Sequence, residues 1–385
     1  MPTRPLSEEL LLEAVEARQN FSTLAEAANS LGLNVNTFRS RLRVAEASGL
    51  HLSAGARKSA LSAELSYAEA KSGWIVEVDP DTGSRRSTYW QAQPLPPETL
   101  IDLIESSFSK IQVAAPIKPP KQTVDNLCTV YPLMDVHYGM RAWGKETGST
   151  DYDTGIARDQ LLKAFSKIDV LTPSSNTAIL IIGGDFFHAD DNRGETPASK
   201  HKLDVDGRHW RVLDTGIEIV ITIIEALAKK HQNLKVRVLR GNHDEHSHLV
   251  LTFALCQRYS GHERIEIEKT PRDLFMHQWG KVAIFAHHGD RIKPQQAALY
   301  ISDVCPFWSA TSHRYMLTGH VHHDQAKDIG PLRWESLRAF APPDAYAASM
   351  GYGARRALQS ITFDAEDGMV LRAIDPVAHT VYNGA

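Results

Sequence analysis

Five short apolar runs, each followed at once by a cluster of glycine, histidine and acidic residues, organise the middle and end of this chain. Leu133-Met134 precedes Asp135, and residues 178–182 precede Gly184-Asp185. Residues 236–239 precede Gly241-Asn242-His243-Asp244, residues 282–286 precede His287-His288-Gly289-Asp290, and residues 315–317 precede Gly319-His320-Val321-His322. Continuous apolar runs bounded by glycine and polar residues suit strands buried on both faces. In an open α/β sheet, ligands bind beyond the carboxyl ends of such strands. An amphipathic stretch from about Trp210 to Lys230 predicts a helix. Residues 358–363 and 369–374, around Asp367-Gly368, predict a hairpin that finishes a second sheet.

The first 92 residues follow a helical period instead. Ser7-Glu8-Glu9 predicts a capped helix start with an acidic first turn, continued by Leu10, Leu11, Ala14 and Val15. A second helix is expected from about Thr23, with Leu24, Ala27, Ala28 and Leu31 on one face, ending at Gly32. After Leu33-Asn34-Val35-Asn36, a third opens at Thr37-Phe38 and reaches about Ser48-Gly49. This pattern resembles a helix-turn-helix. Phe38 and Leu42 share an inward face, and Arg39 and Arg43, with Arg41 nearby, are available for DNA phosphates or guanine edges. The alternative is a small helical bundle that contacts protein. Residues 74–78 and 87–90 predict two strands around Asp79-Pro80-Asp81-Thr82-Gly83, a wing with Arg85 and Arg86 near its tip. Two proline-rich stretches within residues 93–126 form a linker that brackets a short helix. Leu100, Ile104 and Phe108 lie in register on that helix and offer a packing or homodimer contact.

The chain of 385 residues is too long for one ordinary domain. The expected division is residues 1–92, the linker at 93–126, and a catalytic domain at 127–385. A net charge of −4 creates no global field for nucleic acid or membrane. Cys128, Cys256 and Cys305 are widely spaced and odd in number, which argues for a reducing compartment. No signal-peptide core and no membrane-length apolar stretch is evident, so a cytoplasmic location with no membrane partner is expected.

The clusters carry the chemistry. Side chains alternate along an extended segment, so Asp135 and His137 are expected to share one cavity, as are His320 and His322. Asp185 is suited to bridge two cations, and Asn242 adds a neutral oxygen. Two divalent cations against two carboxylates and one hydroxide leave a positive charge suited to a phosphodiester anion. Nitrogen and oxygen donors without cysteine favour manganese, with iron or zinc as alternatives.

In these clusters and their order the sequence resembles the calcineurin-like metallophosphoesterases over residues 127 to 365. The resemblance implies an α/β four-layer sandwich of two mixed sheets with helices outside. It implies one metal ion held by Asp135, His137, Asp185 and His322, and a second by Asp185, Asn242, His288 and His320, with His243 as general acid. His288 is preferred to His287 because it directly precedes Gly289-Asp290. Gly183-Gly184-Asp185-Phe186-Phe187-His188 and Asp135-Val136-His137-Tyr138-Gly139 are similar to the Mre11/SbcD nuclease branch, which makes His188 a second catalytic histidine. A helix-turn-helix joined to such a domain also resembles phage-encoded proteins.

Together these readings predict a two-metal phosphodiesterase, a DNA nuclease, in which ions roughly 3.5 to 4 Å apart lower the pKa of a shared water to about 7. The alternatives are a phosphatase or cyclic nucleotide phosphodiesterase with a regulatory helical module, and a DNA-binding protein with a relic metal domain. His246, His248, His313 and His323 flank the clusters as ligand-orienting candidates or ordinary loop residues. The polar insertion at 189–209 reads mainly as solvated surface, with Arg193 and Lys200 as candidate phosphate contacts.

Overall fold

The computed structural model describes residues 7–21, 23–50, 72–78, 85–91, 113–353 and 355–377. The chain divides into two compact units, residues 1–111 and 112–385.

In the first unit, α1 (Glu8–Asn20), α2 (Leu24–Ser30) and α3 (Val35–Ala47) enclose a small core of Ala14, Leu24, Ala27, Ala28, Phe38 and Leu42. Two starts differ from expectation. The Ser7 side chain makes no cap hydrogen bond. α3 opens earlier than Thr37, because the Asn34 side chain accepts the Thr37 N–H and so makes Asn34 the cap. Thr23 and Glu26 form a reciprocal capping box on α2, and Gly32, at φ 65°, turns the chain out of that helix. β1 (Ser72–Val78) and β2 (Arg85–Gln91) pair antiparallel. The expected turn at 79–83 and the linker helix near 100–108 lie outside the described residues.

The second unit stacks four layers. A six-stranded sheet has the order β13-β12-β3-β4-β5-β6, with β3 (Val124–Leu133), β4 (Ser175–Ile182), β5 (Asn233–Val238) and β6 (Ile265–Ile267) parallel. A five-stranded sheet has the order β10-β11-β9-β8-β7, comprising β7 (Phe275–Trp279), β8 (Val282–His287), β9 (His313–Thr318), β10 (Gln325–Ile329) and β11 (Leu332–Ser336). Short helices α4 (Gly144–Thr147) and α9 (Ala345–Ser349) sit on loops and pack on each other.

Strand alternation explains the layering. Val130, Ile179 and Ile181 face the other sheet, where they meet Phe275, Ile284 and Leu317. Their neighbours Tyr131, Leu180 and Ile182 face helices α5 (Thr154–Leu171), α6 (His209–Lys230) and α7 (Ser247–Arg258). Ala283, Phe285 and Met316 face α8 (Pro294–Val304) through Ala297 and Ile301. Helix α6 presents Val212, Ile219, Val220, Ile223, Ile224 and Leu227 at i, i+3, i+4 spacing. Each such buried side chain contributes about 1.5–3 kcal/mol by leaving water.

The C-terminal hairpin, β12 (Leu358–Asp364) and β13 (Gly368–Asp375), forms as expected but joins the other sheet. Residues 361–364 of β12 pair antiparallel with β3, so the hairpin widens the sheet that leads to Asp135. The segment from Val113 to Thr123 belongs to this unit. The Ala114 N–H donates to the Arg258 carbonyl at 2.7 Å, and Ala114 joins the helix-side core. No described helix is long and apolar enough to cross a membrane.

Candidate metal centre

Every predicted ligand lies just beyond the carboxyl end of a strand: Asp135 and His137 after β3, Asp185 after β4, Asn242 after β5, His288 after β8, His320 and His322 after β9. The structure sorts the acids and imidazoles among them into two triads. Asp135, His137 and His322 each offer a donor atom within 4.8 Å of the others, and so do Asp185, His288 and His320. Asn242 completes the second group, its Oδ1 3.1 Å from His288 Nε2. The Asp185 carbonyl accepts the His137 N–H at 2.9 Å, which places the two triads side by side. His288 and not His287 turns into the cluster: the His287 ring accepts the Gly289 N–H on its own loop.

The backbone that presents these groups is not the extended one expected. Asp135, His137, Asp185, His320 and His322 have φ of 48°, 47°, 49°, 68° and 60°. They share a cavity because each sits in a left-handed turn, not because strand side chains alternate. A tight turn centred on His320 is closed by the Val321 N–H on the Gly319 carbonyl, 2.9 Å. Left-handed backbone in a non-glycine residue costs about 1–3 kcal/mol and gathers at functional sites. Glycines supply the clearance around it. A Cβ on Gly184, itself at φ 88°, would stand 2.6 Å from the His288 ring, and one on Gly241 would overlap the Asp185 carboxylate.

Charge is concentrated here. Burial alone would lower His288, but the Asp185 carboxylate 3.2 Å away overrides it and pushes the imidazole up to about 10. Burial likewise works against the Asp185 anion, yet His288 and the neighbouring histidines hold its carboxyl well below the usual range. A buried carboxylate that recruits a proton onto a neighbouring imidazole is a site that demands positive charge. His137 Nε2 faces His322 Nε2 at 3.3 Å, and the buried His188 Nε2 has no partner among the described residues. Carboxylates, imidazoles and one amide oxygen, with no sulfur, fit divalent metal ions.

No family model matches this sequence, and no curated protein does either. Solved structures give remote likenesses. One is a conserved uncharacterised protein of Streptococcus pneumoniae described as a predicted phosphoesterase, at 14% identity and TM-score 0.29, covering 67% of this chain and 94% of that one. Another is zinc-complexed Vps29 of Entamoeba histolytica, at 11% and 0.29, covering 65% and 99%. A third is an archaeal phosphodiesterase, at 12% and 0.31, covering 64% and 99%.

Two histidines that are not in the ligand set stand against the first triad. The His243 ring lies 4.7 Å from that of His137 and stacks on His188 at 5.2 Å. His243 Nδ1 is 2.8 Å from the His188 carbonyl, which can only accept, so Nδ1 carries a hydrogen and Nε2 is left for acid–base work. Its backbone N–H donates to Asp185 Oδ1 at 2.8 Å, tying the ring's position to the second triad. His188 Nδ1 is 3.1 Å from His137 Nδ1.

Asp244 carries a role that sequence reading did not assign. Buried, it accepts the N–H groups of Asp185 and Gly241 on Oδ1 (3.2 and 2.9 Å) and of Phe186 and Phe187 on Oδ2 (2.9 and 3.2 Å). Burial and the Asp185 charge push its carboxyl up to about 7, while these four donors favour the anion. One side chain thus fastens the loop after β4 to the loop after β5. Replacing Asp244 with asparagine turns an NH₂ toward two backbone donors and destabilises the protein by about 3 kcal/mol. Urea denaturation checks this, and a loss near zero would remove the fastening role.

Of the flanking histidines, His248 donates to the Asp244 carbonyl, His246 pairs with Asp190, His313 lies by Gly368, and His323 lines the cavity. The cavity over the cluster measures about 570 Å³. Arg193 pairs with Asp191, and neither Arg193 nor Lys200 lines it.

Proposed function

We propose that this protein is a two-metal phosphodiesterase of the calcineurin-like metallophosphoesterase type, acting on DNA. The observation that supports the chemistry is the convergence of Asp135, His137, Asp185, Asn242, His288, His320 and His322 in one cluster, with His137, Asp185, Asn242, His320 and His322 lining the cavity above it and His243 beside them. Asp135, His137 and His322 would hold one ion, Asn242, His288 and His320 the other, with Asp185 between them. Bound there, the ions supply Lewis acidity and neutralise phosphate charge, at the manganese, iron or zinc end of the series.

The chain's own groups do the rest. Asn242 coordinates without adding negative charge, which favours an anionic substrate. His243 Nε2 holds the proton that passes to the departing alkoxide oxygen, which otherwise leaves poorly. His188, whose carbonyl fixes His243 and whose Nε2 has no partner among the described residues, orients that acid and the phosphate. The α2–α3 pair supports the choice of DNA: it is read as a helix-turn-helix with Arg43 exposed and Arg39 and Arg41 half-buried on α3.

The test is hydrolysis in manganese of linear single- and double-stranded DNA, methyl p-nitrophenyl phosphate and p-nitrophenyl phosphate, with Asp185→Asn as control. Cleavage of DNA and diester with the monoester spared is expected. Preference for the monoester would mark a phosphatase, and silence on all four would leave only a binding protein.

A further inference from the structure

The cavity is larger than a phosphate group requires: about 570 Å³ falls in the range of roughly 300–1,000 Å³ typical of sites for whole small molecules. Only part of its wall is the aspartate and histidine cluster. The remainder comes from two segments far apart in sequence, the loop after β4 and the stretch from Ala339 to Arg355 after β11. We propose that this second part of the wall, centred on Tyr346 and His201, is a stacking subsite for an unpaired nucleobase next to the scissile phosphate. The proposal rests on the phosphodiesterase reading and names the part of the substrate that reading leaves open.

Three rings and two cations occupy this wall. The Tyr346 and His201 rings lie 5.7 Å apart at 33°, a tilted pair on the cavity edge. Tyr346 is 53% and Tyr352 56% exposed, and both line the cavity. A single exposed tyrosine needs no explanation, but aromatic faces gathered around one cavity with a phosphoester-type cluster at its base match how proteins hold bases of single strands. Arg355 is exposed and has no ion-pair partner among the described residues. Lys202 is paired with Glu195 at 2.7 Å on an open surface, a weak contact that a phosphate can replace. The one carboxylate on this part of the wall, Asp344, is engaged in capping α9 through the Ala347 N–H at 2.7 Å. Helix α9 packs on α4, so Tyr346 stands on a supported element. In a duplex each base is already stacked on its neighbours, so the platform selects a strand whose bases are free.

Binding decides the matter without turnover. Asp185→Asn protein, with manganese present, is titrated into a fluorescein-labelled ten-nucleotide thymidine strand and into the same strand carrying tetrahydrofuran abasic sites. The base-bearing strand is expected to bind about tenfold more tightly, and Tyr346→Ala in the same background to remove that preference while Tyr346→Phe keeps it. Equal affinity for the two strands, a preference that survives Tyr346→Ala, or no binding of either strand overturns the subsite. The underlying reading fails separately, if the unsubstituted protein does not hydrolyse methyl p-nitrophenyl phosphate. A duplex of the same length that binds as well as the single strand would also overturn it, and a free thymidine dinucleotide that competes at equal concentration would assign the subsite to small nucleotides over polymer.

Discussion

On the proposed function, replacing His243 by alanine is expected to slow cleavage of DNA and of dialkyl phosphodiesters by about 10²- to 10⁴-fold, the usual contribution of a placed proton donor. Hydrolysis of methyl p-nitrophenyl phosphate falls far less, because a nitrophenolate leaves without being protonated. The reason for the split lies in the ring's surroundings. Nδ1 is committed to the His188 carbonyl, so Nε2 is the only nitrogen that can face a leaving oxygen. The substitution keeps the backbone N–H that binds Asp185, so the ligand cluster stays in place. Rates for the two substrates measured side by side provide the check. Equal losses would mean that His243 serves binding or structure and gives no proton.

On the proposed two-metal reading, Asp185→Asn is expected to reduce manganese bound per chain from two ions to at most one weakly held ion, and diester hydrolysis to fall by about 10³-fold or more. The same variant changes proton release. In the metal-free protein His288 is held as a cation, with its pKa pushed up to about 10 by Asp185, so a metal ion can take Nε2 only by expelling a proton. Affinity therefore rises with pH throughout the range below that value, by about tenfold per unit for each proton displaced. Without the Asp185 charge, the strongest support for the His288 cation is gone and burial, which favours the neutral ring, is opposed only by the smaller pulls of Asp135 and Asp290. Titration calorimetry in two buffers of different ionisation enthalpy counts the protons directly. A count unchanged by Asp185→Asn would contradict the coupling of these two residues.

Much of the second unit was legible because its strands are buried on both faces. The runs at 178–182 and 282–286 needed no partner to be recognised, since an apolar residue at every position has few other places to go. Helix α6 was legible by its period. Membership of the C-terminal hairpin was not, because whether β12 pairs with β3 or with a strand of the other sheet depends on an edge built some 230 residues earlier. That the candidate ligands would cluster could be read from residue types, but the left-handed torsions at Asp135, His137, Asp185, His320 and His322 could not, since aspartate and histidine give no glycine-like signal. Asp244 was visible within its cluster, yet its work is done on backbone N–H groups about 58 residues away, which leave no trace in side-chain pattern. Tyr346 and His201 meet across a far longer gap, one on the five-residue helix α9 and the other in the loop after β4, where neither segment is long enough or regular enough to show a period.

On the proposed function, the unfavourable torsions beneath five of the cluster residues set durability against chemistry in this protein. Glycine at any of them would relax the chain locally and yet delete a donor, so the toughest version of this scaffold is an inert one. Selection for heat resistance alone, with no demand for turnover, would be expected to erase the centre first at those turns.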